Sequence, residues 1–165
     1  MKRRLTILTL TTLAAVALIG VVSMAPSPVL AEEATQISGV AFFDEEDVCD
    51  SGSKVADFAL IMTGDLEGCL YTFVETAESS PSGTYRETGT ELFVASDGVS
   101  TFETNYRFEA KYEDVENLSG EIFGRCQHPI VEGSGTGIFE GVSGQLFFKD
   151  DVEAGTFPYR GHLQY

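Results

Sequence analysis

From about residue 35 onward, apolar and polar residues alternate with a period of two, and no window carries the 3.6-residue stripe of a helix. The alternation is clearest over 101–112, where Phe102, Thr104, Tyr106, Phe108, Ala110 and Tyr112 share one face. Glu103, Asn105, Arg107, Glu109 and Lys111 share the other, giving the one dry and one wet face of an antiparallel strand. Turn signals at 50–52, 64–68, 80–83, 96–98 and 116–120 divide the chain into strands over 36–43, 56–63, 69–75, 84–95, 101–112, 119–125, 135–139, 145–150 and 157–164. Nine strands that each need cover, with none suited to an exposed edge, predict a sheet closed on itself. The expected fold is therefore all-β, a closed antiparallel up-and-down barrel of about eight strands, with the glycines of 133–144 bending the wall at a corner.

The N-terminal segment breaks this pattern. Lys2, Arg3 and Arg4 precede an apolar run over 5–24, and Val29 and Ala31 supply small or aliphatic positions before a cleavage point. That order is a secretory signal peptide over 1–31, leaving a single barrel domain over 32–165 in a secreted protein. An uncleaved anchor is the alternative, since about 20 apolar residues span a bilayer. The threonines within the run and the cleavage point beyond it favour removal. Without the leader, seven Lys and Arg residues face 26 Asp and Glu, a net charge of −19. Such a field repels phosphate backbones and anionic lipid surfaces, so neither nucleic acid nor a membrane is an expected partner.

An oxidising destination makes Cys49, Cys69 and Cys126 candidates for one disulfide. If consecutive strands run up and down, Cys69 opens its strand at the barrel end where Cys126 closes its own, while Cys49 lies toward the opposite end. The expected pair is Cys69 with Cys126, with Cys49 unpaired.

Little in the chain resembles a chemical motif. Gly135-x-Gly137 lacks the third glycine and the following helix of a dinucleotide loop. Cys126 and His128 are close, but no second ligand pair completes a zinc site, so His128 reads as a hydrogen-bonding partner. The acidic loops at 44–50 and 150–153 lack the spacing of a calcium loop and read as solvated surface. No serine, histidine and aspartate follow the order of a hydrolase, and no cofactor is implied. What remains is aromatic bulk: Tyr71, Phe73, Phe102, Tyr106, Phe108 and Phe147 are candidates for the lumen. Arg86 joins them if the face it shares with Thr88, Thr90 and Leu92 points inward, where it would need a buried anion.

The stretch Ser134-Gly-Thr-Gly-Ile-Phe-Glu-Gly-Val-Ser-Gly144, with the closing run Tyr159-Arg160-Gly161-His162-Leu163, resembles the C-terminal half of the allene oxide cyclase and dirigent barrel superfamily. The stretches Gly68-Cys-Leu-Tyr-Thr-Phe73, 81–87 and 124–129 look like a group of secreted bacterial proteins with that fold. The resemblance implies an eight-stranded barrel, dimeric or trimeric in many members, with a cavity that takes oxygenated lipids or phenoxy radicals in plants. No position matches the catalytic residues of the plant cyclases. The leading expectation is thus a secreted, non-enzymatic barrel that binds a small apolar or amphipathic ligand in its lumen. A structural or interaction module with a filled lumen stays open, as does an isomerase or cyclase of oxidised lipids by analogy with the superfamily.

Overall fold

A computed structural model describes residues 33–49 and 55–165; the leader over 1–31 lies outside the described residues. Eight strands follow one another around a closed wall: β1 Thr35–Phe43, β2 Phe58–Gly64, β3 Gly68–Ser79, β4 Thr84–Ala95, β5 Thr101–Asp114, β6 Ser119–Pro129, β7 Ser143–Lys149 and β8 Phe157–Gln164. Each pairs antiparallel with its neighbour, and β8 returns to β1 with Tyr159 opposite Gly39 and Gly161 opposite Ile37. Closure leaves no strand edge unpaired, as the alternation predicts.

The ninth expected strand is not one. Residues 137–139 form a single 3-10 turn, because Gly137 takes φ of 61°, a left-handed conformation that cannot extend a strand. The turn sends Phe139 into the barrel, where its ring lies 5.1 Å from Phe102 and 5.8 Å from Phe93. With Ile37, Leu66, Leu70 and Leu146 these rings plug one end of the lumen. Tyr159 ties the same end to the β2–β3 turn: its hydroxyl accepts the N–H of Leu66 at 2.9 Å and lies 3.1 Å from the Thr63 carbonyl.

The disulfide joins Cys49 to Cys69, not Cys69 to Cys126. Strand parity explains the correction. Leu70 and Thr72 of β3 are buried in the barrel, so Cys69 sits on the outer wall, whereas Cys126 of β6 is buried within the core cluster. Two cysteines on opposite faces of one wall cannot bond. Residues 44–49, after β1, bring Cys49 to Cys69 on the outer wall, while the Asp44 carboxylate accepts the N–H groups of Val48 and Cys49 to shape this segment. Cys126 is left as a buried free thiol. Reduction of a bridge spanning 20 residues is expected to cost about 3 kcal/mol. Denaturant midpoints with and without reductant check this, and Cys126 should resist thiol reagents until the barrel unfolds.

Candidate functional site

The strand ends opposite the plug enclose a cavity of 260 Å³ inside the lumen. Its inner limit is a polar layer set by strand register. Thr72, Glu91 and Thr104 stand directly opposite one another on β3, β4 and β5, and all three are buried. Glu91 accepts hydrogen bonds from both threonine hydroxyls, the Thr72 bond measuring 3.3 Å. It also holds His128 of β6, whose Nδ1 lies 2.6 Å from Glu91 Oε2. An ionised carboxylate can only accept, so Nδ1 carries the proton between them, and in the neutral form of the ring the lone pair is on Nε2.

That second nitrogen is the exception in the layer. His128 is 3% exposed, its ring lies 4.4 Å from that of Phe148, and Nε2 has no hydrogen-bond partner among the described residues. A buried polar atom left so forfeits about 1 to 3 kcal/mol, which makes it a mark of something the fold alone does not supply.

Three more carboxylate groups face the same space. Glu87 accepts the hydroxyls of Tyr106, at 2.7 Å, and of Tyr85. Burial first, then the Glu87 hydrogen bond and charge, hold both phenols well above the usual tyrosine range. Nearer the mouth, Glu121 and Asp150 meet over Gly124, where a Cβ would collide with the Asp150 carboxylate. Burial, reinforced by a hydrogen bond to Glu121 and by its charge, pushes Asp150 up to about 7. Glu121 Oε1 finds no donor among the described residues while both groups are ionised, and one shared proton satisfies it.

The pair makes stability depend on pH. Asp150 holds its proton more tightly folded than unfolded, so folding takes up a proton between about pH 4 and pH 7. Stability therefore falls as pH rises through that window. Because the carboxyl keeps part of its surface in water, the loss is about 1 to 2 kcal/mol rather than the full value of the shift. Asp150→Asn retains a donor to Glu121 and should flatten the dependence, read as urea midpoints at pH 5 and pH 8.

Of the residues expected in the lumen, Tyr106 and Phe108 line the cavity, and Phe102 is inside but belongs to the plug. The other four are on the outer wall. Tyr71 is buried beneath the β1–β2 loop, and Phe73 shares its outward parity. Phe147 is 37% exposed because its neighbours Leu146 and Phe148 take the inward positions. Arg86 points to solvent, bonded at 3.0 Å to Glu109, which also accepts Arg125 at 2.8 Å. These exposed ion pairs hold the Glu109 carboxyl below its usual range and contribute little to stability.

Sequence reasoning missed Glu87, Glu91, Glu121 and Asp150, and it assigned His128 no position in the lumen. The available signal was the continuation of β4: Tyr85, Glu87, Gly89 and Glu91 share parity with Phe93, the largest buried side chain of that strand. His128 is a hydrogen-bonding partner, as the missing second ligand pair implied. Comparison of the chain with known protein families, with curated proteins and with solved structures finds no match in any of the three.

Proposed function

We propose that the barrel binds a small amphipathic molecule in the open half of its lumen, with the apolar body against Phe108 and Phe148 and a polar atom on His128. The observation that carries this reading is the buried, unpartnered Nε2 at the wall of a 260 Å³ cavity. A guest that donates a hydrogen bond there removes the penalty of the empty lone pair. The cavity falls below the roughly 300 to 1,000 Å³ of sites for drug-sized ligands, so the guest is compact, on the scale of one ring.

A filled lumen describes the plugged half alone, so the interaction-module reading is second to ligand binding. We propose kinship with the allene oxide cyclase and dirigent barrels, in keeping with the architecture that the sequence resemblance implies. Cyclisation of an oxidised lipid is the weaker functional reading, because the cavity is short for an acyl chain and its carboxylates oppose an acid head group. Secretion, read from the leader sequence, would place the binding event outside the cytoplasm.

Native mass spectrometry of protein purified from its own host tests the reading. The expected spectrum shows one small molecule per chain, released on unfolding. Bare protein, together with unchanged amide shifts in β4 to β6 when one-ring fragments are added, would contradict it.

A further inference from the structure

The chemistry of the cavity wall narrows the guest further. Four carboxyl groups line it, Glu87, Glu91, Glu121 and Asp150, and the described lining residues include no Lys or Arg. His128 is the one basic group, and even its protonated form leaves the carboxylates in excess. Hydrogen-bonding capacity is as one-sided as charge. The hydroxyls of Tyr85 and Tyr106 are committed to Glu87, those of Thr72 and Thr104 to Glu91, and the neutral form of His128 presents a lone pair. Tyr112, near the mouth, adds a hydroxyl that can donate or accept. Half of the sixteen lining residues are Phe or Tyr, whose ring faces attract a cation.

Resting on the reading that the lumen holds a ligand, we infer that this ligand is a small organic cation, a protonated amine whose N–H groups donate to His128 Nε2 and Glu87. An ammonium group meets each feature of the site: it supplies donors to a wall of acceptors, neutralises buried negative charge and stacks against aromatic faces. An anion meets none of them. Desolvated carboxylates without a cation are costly, and the proton that Asp150 retains to about 7 shows how the wall limits its own charge. Bound ammonium would do for Glu87 what the shared proton does for Asp150.

Three one-ring probes of nearly equal size test the charge directly: benzylammonium, benzyl alcohol and benzoate, titrated at about pH 7 with binding located by amide shifts. The expected order is benzylammonium at least tenfold tighter than benzyl alcohol, with benzoate undetectable. Glu87→Gln should weaken the amine about tenfold and the alcohol less than twofold; should that variant not fold, Asp150→Asn compared with the parent at pH 8, above the point near 7 to which Asp150 keeps its proton, carries the same comparison. Equal or tighter lumen binding of the alcohol would overturn the cation inference while leaving the lumen reading intact. Failure of all three probes to shift lumen residues would overturn both. Amine binding that ignores both substitutions and shifts only the outer wall would identify a surface counter-ion and overturn the inference.

Discussion

Glu91→Ala is expected to destabilise the barrel by about 3 to 5 kcal/mol, enough to unfold much of a small domain whose total stability is of the order of 5 to 15 kcal/mol. The expectation follows from how many groups depend on one carboxylate. Thr72, Thr104 and His128 Nδ1 all donate to it, and each belongs to a buried residue. Removal leaves three donors to be satisfied in a space that has also lost its side-chain volume. Glu91→Gln keeps one acceptor oxygen and the volume, so about 1 to 2 kcal/mol is expected. Urea denaturation of the two variants separates the contributions. Near-equal midpoints for Glu91→Ala and the parent would show that the carboxylate does not organise the layer.

Phe102→Ala is expected to cost a comparable amount, about 3 to 5 kcal/mol, by a different route. Phe102 is fully buried, 4.9 Å from Phe93 and 5.1 Å from Phe139, and forms the centre of the plug. Its truncation leaves an apolar void that the closed wall cannot collapse to fill, because eight paired strands fix the diameter. Phe139 loses its packing partner as well, so amide exchange in the 3-10 turn should accelerate. Phe102→Leu preserves most of the volume and should cost clearly less. A loss below 1 kcal/mol for Phe102→Ala would mean that the closed end is loosely packed.

The two variants also show where the sequence is readable. The barrel follows from the period-two pattern alone, since β5 announces its faces through six consecutive inward positions from Phe102 to Tyr112. The site resists the same reading because it inverts the rule. On β4 the inward face carries Glu87 and Glu91, which look like a wet surface, while Thr88, Thr90 and Leu92 look like the apolar one. Only the register, which sets Thr72 and Thr104 on either side of Glu91, reveals that the charge has partners. Aromatic bulk misleads in the same way: Tyr71 and Phe147 are large and apolar, yet their parity puts them outside. The Cys49–Cys69 bridge was hidden for a third reason. It depends on residues 44–49 bringing Cys49 to the outer wall, and strand order carries no record of a loop's path.

Taken together, the fold supplies a tube closed by phenylalanines at one end and an acidic, aromatic chamber at the other, with the Glu91–His128 pair as the floor between them. The proposed binding rests on that asymmetry. Evenly filled barrels have no reason to bury a histidine with a nitrogen unanswered, and fully open ones have no floor on which to hold it. Intermolecular nuclear Overhauser contacts between bound benzylammonium and the barrel test this arrangement most directly. The account predicts cross-peaks to the rings of His128, Tyr106, Phe108 and Phe148 and none to Phe93 or Phe139; contacts confined to Tyr71, Phe73 and Phe147 on the outer wall would contradict it.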